Sequence, residues 1–332
     1  MPHWFPSTLL SPKSRMIGIA RGLSLAGKFL STFGIALSVA AVLLPGLALA
    51  DAGQPRPGEM TLQPSVTPIM DSIHSLHDGL LMWIITGITL LVFVLLAVII
   101  FRFNSKANPV PSRFTHNTLL EIVWTALPVV ILVIIAIPSF AVLTDQLTVP
   151  DGARKYLGGS IFAFGGVDVP APALTVKVTG SQWYWSYDYP DDGGKHFDSN
   201  ILSEQARTAQ TPQQPRLLAV DNMLIVPVGT TVRVEVTGAD VIHSWSVPAF
   251  GIKMDAVPGR LNETWFNARK EGVYYGQCSQ LCGKDHAFMP IAVRVISQDA
   301  FAKWIAALKA GSVDDANKTL PPLQASDVQP AA

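Results

Sequence analysis

The chain has 332 residues, enough for one or two domains, and only 14% of them are charged, against about 25% in a typical soluble domain. The hydrophobic fraction is 49%, and the apolar excess lies in the first 145 residues, which indicates segments that contact a lipid bilayer. Basic and acidic residues balance at 24 each, so composition gives no support for a nucleic-acid partner. The two cysteines exclude a scaffold held by several disulfides, and no C-x-x-C-H motif for attached haem is present.

The first apolar segment, residues 29–47, follows several basic residues and ends in Ala48-Leu49-Ala50. Basic residues, an apolar stretch and a small-x-small ending are the parts of a secretory signal peptide. We therefore predict a signal peptide over residues 1–50, cleaved after Ala50. The alternative is an additional membrane helix.

Two further apolar segments are long enough to cross a membrane. Residues 80–101 carry no charge, and 22 residues rising 1.5 Å each cover the roughly 30 Å hydrocarbon core. Residues 122–143 are as long, and their two prolines are tolerated where neighbours satisfy the freed carbonyls. The connecting loop is basic until Glu121, which predicts that it faces the cytoplasm. A hairpin over 80–144 then leaves residues 51–79 and the C-terminal domain on the periplasmic side.

Short segments with β-branched residues at every second position begin near Ala173. They are residues 174–179, 223–228, 231–236 and 291–296. Turn residues separate them, which predicts an antiparallel β-sandwich or barrel over 145–310. The motifs of nucleotide-binding proteins and of common hydrolases are absent from the sequence.

Two segments complete the domain. An amphipathic helix is predicted over Ser297 to Lys309, with Phe301, Trp304, Ile305 and Leu308 on one face. Residues 311–332 are rich in Ala, Pro, Asp and Gln, and we predict a disordered tail.

The clearest chemistry lies in the stretch from Gly276 to Met289, which reads GQCSQLCGKDHAFM. Thiolate, thioether and imidazole ligands in one short loop are typical of copper. A second imidazole, His243, follows the strand that ends near Val236. Two thiolates a turn apart can each bridge two copper ions, so that one added electron changes each bond little and transfer is fast.

Other interpretations of these residues remain open. The two cysteines could form a local disulfide in an oxidising compartment. Two cysteines and two histidines could bind zinc, although zinc has no use for Met289 and the spacing is not that of a zinc finger. Met289 could also be ordinary core packing.

These stretches together resemble cytochrome c oxidase subunit II. The matching residues are 67–70, 77–78, 121–128, 182–189, 221–222, 243–248, 255–260 and 276–289. The resemblance implies a membrane-anchored, otherwise all-β protein, in which a two-helix transmembrane hairpin precedes a cupredoxin-like Greek-key sandwich with a binuclear copper centre (CuA). The ligands that it implies are His243 and His286, the bridging Cys278 and Cys282, Met289, and the backbone carbonyl of Gln280.

Gln280 is the main departure from the family pattern, which has glutamate here. In the family, that side chain helps to hold a magnesium or manganese ion at the border with subunit I. An amide oxygen can bind a hard cation but brings no charge to offset it. We expect a weaker or differently organised Mg/Mn site, and Asp255 in a nearby matching loop is not assigned as a ligand.

The resemblance also implies a route for electrons and protons. Trp183 would be the surface indole that receives electrons from cytochrome c, and Asp188, Asp221 and Asp240 would attract the lysine-rich face of that donor. The alternatives are that the aromatic residues from Trp183 to Tyr189 are core packing and that the acids are turn residues or caps. Glu121 would admit protons for subunit I, or would simply lie in a first helical turn.

The sequence thus predicts subunit II of a bacterial inner-membrane, proton-pumping oxidase. Its partners would be cytochrome c, subunit I with its haem, subunit III and the lipid bilayer, and oxygen would be reduced in subunit I. One alternative is a membrane-anchored copper-binding or copper-delivery protein without redox turnover. A copper-free quinol oxidase subunit is another, although such subunits lack the copper ligands.

Overall fold

The computed structural model describes residues 53–56, 58–110, 113–157 and 166–328. The predicted signal peptide, residues 1–50, lies outside the described residues, as does the chain after residue 328.

Two long apolar helices precede the β domain. Helix α1, Pro68–Leu76, continues through a π-helical turn, His77–Leu81, into α2, Met82–Arg102. Helix α3 is Thr118–Leu147 and contains both prolines. The side chains of α2 are half-exposed or exposed, as expected for a helix that faces lipid or another subunit. The predicted pair of membrane helices is confirmed, with α3 extending past the predicted span at both ends.

The helix that includes the first span begins earlier than predicted, because Thr67 and Pro68 form a good helix start. The Thr67 hydroxyl accepts a hydrogen bond from the Met70 amide at 3.1 Å, and proline suits the first helical position. The same hydroxyl donates to the Phe250 carbonyl at 2.7 Å, and Arg269 contacts both Asp71 carboxylate oxygens at 2.6 and 2.9 Å. Helix α1 is therefore attached to the β domain.

The rest of the described chain contains twelve strands, four α-helices and three short 3-10 helices, Pro190–Asp192, Pro248–Phe250 and His286–Phe288. In chain order the strands are β1 Lys155–Tyr156, β2 Val167–Asp168, β3 Leu174–Ser181, β4 Tyr184–Tyr189, β5 Lys195–Ser199, β6 Leu224–Pro227, β7 Thr231–Gly238, β8 His243–Val247, β9 Ile252–Ala256, β10 Asn262–Asn267, β11 Gly272–Cys278 and β12 Pro290–Ile296. The helices are α4 Glu204–Thr208, α5 Gln298–Ala310, α6 Val313–Asn317 and α7 Ala325–Val328.

Ten of the strands form a sandwich of two five-stranded sheets. One sheet has the order β10-β7-β3-β4-β5 and the other β6-β12-β11-β8-β9, while β1 and β2 pair separately. The predicted β-sandwich is confirmed. A purely antiparallel arrangement is wrong for two pairs, since β3 runs parallel to β7 and β12 parallel to β6. In each case three or more strands separate the partners in sequence, which gives the chain the length that a parallel crossover needs.

The core lies between the sheets and follows the period-two pattern. Strands β3 and β7 alternate buried and half-buried residues along most of their length, and half of the buried residues are Val. Trp185, Tyr187 and Tyr189 of β4 are fully buried, and Trp183 is half-buried just before that strand. For three of these four aromatic residues, core packing is therefore part of their role.

The prediction that residues 311–332 are disordered is wrong for the described part of that segment. Helix α6 lies beside α5, where the Trp304 indole donates to the Asn317 side-chain oxygen at 3.1 Å. The guanidinium of buried Arg294 donates to the Pro321 carbonyl at 2.5 Å, and Val328 is buried in a cluster with Tyr275. The outer face of β11 and β12 presents Val273, Tyr275 and Ala292 beside Arg294, so a tail with few apolar residues can still fold by covering the apolar residues and accepting a bond from Arg294.

Candidate metal centre

The predicted ligands lie where two neighbouring strands meet a loop. Cys278 ends β11, and residues 279–289, hereafter the metal loop, connect it to β12. Strand β8 pairs with the end of β11, with Cys278 opposite Trp245, and its first residue is His243. This pairing brings His243 beside the loop although 35 residues separate it from Cys278.

The donor atoms of the predicted ligands converge on one region. Cys278 Sγ lies 3.9 Å from Cys282 Sγ and 4.0 Å from His243 Nδ1. Cys282 Sγ lies 3.5 Å from both His286 Nδ1 and Met289 Sδ. His243, Cys278 and Cys282 are buried, and their ligand atoms all lie within 4.8 Å of one another.

The backbone carbonyl of Gln280 belongs to the same cluster, since it lies 3.4 Å from Cys278 Sγ. The side chain of Gln280 is exposed. Both cysteines are free thiols. Two soft sulfur donors with two imidazoles, a thioether and a carbonyl form a set that fits copper.

The two thiols differ in their electrostatic surroundings. Burial raises the pKa of Cys278, but contacts with His243 and with backbone amides outweigh burial and lower it. Burial and the adjacent Cys278 charge raise the pKa of Cys282. A bound cation would relieve the repulsion between the two thiolates, because it favours the deprotonated form of both.

His243 is oriented by a carboxylate. Asp240 Oδ1 lies 2.9 Å from His243 Nε2, so the other ring nitrogen, Nδ1, faces the sulfur of Cys278. The same carboxylate accepts hydrogen bonds from the backbone amides of Gln182 and Val241, at 2.7 and 2.6 Å. Burial raises the pKa of Asp240, but these bonds outweigh it and lower the pKa. Asp240 was predicted as a docking acid, and the structure places it against a predicted ligand.

Trp183 lies directly on the metal loop. Its indole Nε1 donates to the Cys282 carbonyl at 3.2 Å, and its ring packs against Gly283. The Lys284 ammonium lies 5.6 Å from the ring centroid. A half-exposed aromatic ring thus touches the backbone of a predicted bridging residue.

The other predicted site residues lie apart from this cluster. Asp188, on β4, accepts from His196 Nδ1 at 3.0 Å, and Asp221 accepts from the Asn200 and Asn222 amides, each at 2.7 Å. Within the described residues, neither acid makes a hydrogen bond to a predicted ligand. Glu121 is in the first turn of α3, where its Oε1 accepts from the Asn117 amide at 3.3 Å.

The contacts of the centre that escaped the sequence interpretation include two at the residues Asp240 and Trp185. One is the bond between Asp240 and His243, which the i, i+3 spacing of an acid and a predicted ligand could have indicated. The other is the indole of Trp185, which donates to the Met289 carbonyl at 3.1 Å. These two residues are 104 positions apart, and no local pattern reports such a contact.

Comparison with known proteins gives a consistent result along the chain. The family model "Cytochrome C oxidase subunit II, periplasmic domain" matches residues 174–296, and "Cytochrome C oxidase subunit II, transmembrane domain" matches residues 55–142. The probable cytochrome c oxidase subunit 2 of Rickettsia felis is 46% identical over 269 residues, which are 81% of this chain and 78% of the relative. Cytochrome c oxidase subunit 2 of Cereibacter sphaeroides is 44% identical, covering 79% and 84%.

Solved structures include a similar protein. The periplasmic domain of subunit II of cytochrome oxidase (CoxB) of Bradyrhizobium japonicum is 58% identical, covers 43% of this chain and 97% of its own length, and gives a TM-score of 0.39.

Proposed function

The chain belongs to the cytochrome c oxidase subunit II family, and we propose that it receives electrons from cytochrome c and passes them to haem in subunit I. Subunit I would reduce oxygen to water, and this reduction would be coupled there to proton pumping. The observation that carries this proposal is the convergence of the sulfurs of Cys278 and Cys282 with two imidazoles and a thioether.

The metal group proposed for this cluster is a pair of copper ions. Cys278, Cys282, His243 and His286 would hold the ions through sulfur and imidazole, with Met289 and the Gln280 carbonyl as the remaining ligands. Bound copper would supply a one-electron redox centre whose charge is shared over both metals and both sulfurs. The buried protein surroundings hold the donor atoms in place, which keeps rearrangement on electron transfer small.

Trp183 is proposed to receive the electron. Its ring is half-exposed, and its hydrogen bond to the Cys282 carbonyl connects it to a ligand residue without an intervening side chain. A copper-delivery protein would have no use for this contact, so that alternative is not favoured. Asp188, Asp221 and Asp240 remain proposed docking acids, with Asp240 also positioning His243.

The proposed orientation follows from charge. The loop between α2 and α3 contains Arg102, Lys106 and Arg113, so it is proposed to face the cytoplasm of a bacterial cell. The β domain and the segment before α2 then lie in the periplasm, after removal of a signal peptide. Glu121, at the cytoplasmic start of α3, is proposed to admit protons for subunit I.

The remaining proposals concern the border with subunit I. Gln280 presents an exposed amide where the family has a carboxylate, and Lys253 Nζ lies 3.2 Å from the Asp255 carboxylate. A Mg/Mn site here is proposed to be weaker than in the family. Subunits I and III are proposed to cover the exposed faces of α2 and α3.

The test of the copper proposal is spectroscopic. The full-length chain in detergent, loaded with copper, is expected to show the EPR and near-infrared pattern of one electron delocalised over two copper ions. Replacing Cys282→Ser should abolish that pattern, because one sulfur cannot bridge two ions in the same way. A parent chain with only a single-copper pattern, or with its two cysteines joined as a disulfide when copper is present, would refute the proposal.

A further inference from the structure

Three side chains from the segment around the start of β4 donate hydrogen bonds to two residues of the metal loop, Cys282 and Met289. The Gln182 amide and the Trp183 indole both donate to the Cys282 carbonyl, at 2.8 and 3.2 Å. The Trp185 indole donates to the Met289 carbonyl at 3.1 Å. In each case the acceptor is the backbone of a residue whose sulfur faces the centre.

Trp185 is held rigidly in this role. Its side chain is fully buried, and its ring meets the His243 ring edge-on at a centroid distance of 6.0 Å. A Cβ added to Gly180 would lie 2.9 Å from both Trp185 and His243. Because the buried indole is closely packed between these neighbours, it holds the Met289 carbonyl and supports the His243 ring.

The side chain of Gln182 contacts the metal loop at Cys282. Its backbone amide donates to Asp240, which in turn contacts His243. Gly283 has φ +121°, and a Cβ there would lie 3.2 Å from the Gln182 amide nitrogen and 3.0 Å from the Trp183 ring. The close fit depends on glycine and places the Gln182 amide firmly on the Cys282 carbonyl.

The loop itself has little regular structure to hold its shape. Its bonds among the described residues include local turns, such as those from the His286 amide to Gly283 and from the Phe288 amide to Asp285, at 3.3 and 2.8 Å. Orientation of the Cys282 and Met289 peptides therefore depends on donors from outside the loop. Partners that orient ligands in this way commonly determine metal affinity.

We propose that Gln182 and Trp185 are positioning residues, which hold Cys282 and Met289 of the metal loop at ligand spacing through the backbone carbonyls of these two residues. The inference rests on the proposed copper function and extends it to residues that do not touch the metal. It separates Trp185 from Trp183, which is proposed to carry electrons.

The test compares Trp185→Phe and Gln182→Leu with two matched controls in the full-length chain. Trp304→Phe also removes a buried indole and its hydrogen bond, to Asn317, and Gln213→Leu removes an exposed amide that donates to the Thr208 carbonyl at 3.2 Å. Copper affinity is measured by competition with a chelator, and EPR and near-infrared spectra are recorded on the loaded proteins. We expect affinity to fall about 10–100-fold in both test variants, with altered spectra, and both controls to match the parent.

Each outcome decides the matter. Test variants that bind copper like their controls, with parental spectra, overturn the inference, as does an equal loss in test and control variants. Should Trp185→Phe fail to fold, Gln182→Leu decides alone, because its side chain is exposed. If the parent chain shows no delocalised copper pattern, the proposed function itself is overturned. If the parent shows that pattern and the two test variants behave like the parent, only the positioning role is overturned.

Discussion

Among single residues, Trp183 and Asp240 each have one part that faces solvent and another that contacts the metal centre. The Trp183 ring is partly exposed, and its indole nitrogen donates to the metal loop. The Asp240 side chain is 37% exposed, and its oxygens accept hydrogen bonds from three groups. A partly exposed carboxylate with three donors is held in one orientation, so its contribution to docking and its contribution to His243 can be separated by mutation.

Replacing Trp183→Phe should abolish electron transfer from cytochrome c to the assembled oxidase, because phenylalanine keeps a ring but loses the hydrogen bond to the Cys282 carbonyl and much of the exposed π-surface. The copper spectrum should stay parental, because Gln182 still donates the shorter hydrogen bond, 2.8 Å, to that carbonyl. Rapid-mixing kinetics of copper reduction would measure the change, with Trp304→Phe as control. Turnover at the parental rate would show that electrons arrive elsewhere.

Replacing Asp240→Asn should weaken copper binding by about 10–100-fold, because His243 loses the charged partner that fixes its ring. Asp221→Asn is the matched control. Asp221 also accepts hydrogen bonds from two backbone amides, those of Asn200 and Asn222, but it makes no hydrogen bond to a predicted ligand among the described residues. Chelator competition measures both. Equal losses in the two variants would mean that Asp240 acts only as a turn cap.

At the level of helices and strands, local sequence patterns were sufficient to predict those elements whose surroundings are the same along their whole length. Residues 80–101 lie in a helix because a backbone in lipid has to satisfy its own hydrogen bonds. The alternation in β3 and β7 follows from one buried face. The parallel partners of β3 and β12 could not be predicted, because register depends on strands far away in sequence. The prediction of a disordered tail was wrong for the same reason. The few apolar residues of the tail can be buried only after β11 and β12 have formed the surface that they pack against.

Truncation after Gly311 should therefore destabilise the β domain. The bond from the Arg294 guanidinium to Pro321 and the burial of Val328 are each worth about 1.5–3 kcal/mol, offset by the entropy of the freed tail. A net loss of about 2 kcal/mol lowers Tm by roughly 4–8 °C. Thermal unfolding followed by tryptophan fluorescence measures it, and truncation after Val328 should behave as the parent. Equal Tm values for the two truncations would contradict a stabilising role for residues 312–328.

For the whole molecule, a net charge of zero means that attraction of a basic donor has to come from local acids. The kcat/KM for cytochrome c should fall as ionic strength rises, and Asp188→Asn should reduce both its value and its salt dependence. The effect should be modest, since Asp188 is only 23% exposed and already pairs with His196. Asp314→Asn, an exposed acid on α6, is the control. Identical salt profiles for Asp188→Asn and Asp314→Asn would remove Asp188 from the docking surface.

The position of the β domain relative to the membrane depends on the end of α3. The Trp265 indole donates to the Asp145 carbonyl at 2.8 Å, and Gln146 donates to the Gly251 carbonyl at 2.9 Å. The buried Asp145 carboxylate accepts from Arg154 at 2.8 Å and from the Leu157 amide at 2.7 Å. These bonds hold the end of α3 to the β domain, so the proposed copper centre keeps a fixed position relative to α3.

Replacing Asp145→Ala should reduce stability by about 1–3 kcal/mol, because the half-buried Arg154 guanidinium and Leu157 amide lose the buried carboxylate that accepts their hydrogen bonds. It should also slow electron transfer from copper to haem while the copper spectrum stays parental, since the centre is intact but its position is no longer fixed. Asp168→Ala is the control: its ion pair with Lys155 is exposed on both sides, and such pairs contribute little. Flash-induced electron transfer in the assembled oxidase, with Tm of the same samples, would measure both effects. If Asp145→Ala transferred electrons to haem as fast as Asp168→Ala despite a lower Tm, the junction would stabilise the fold without setting the distance between the centres.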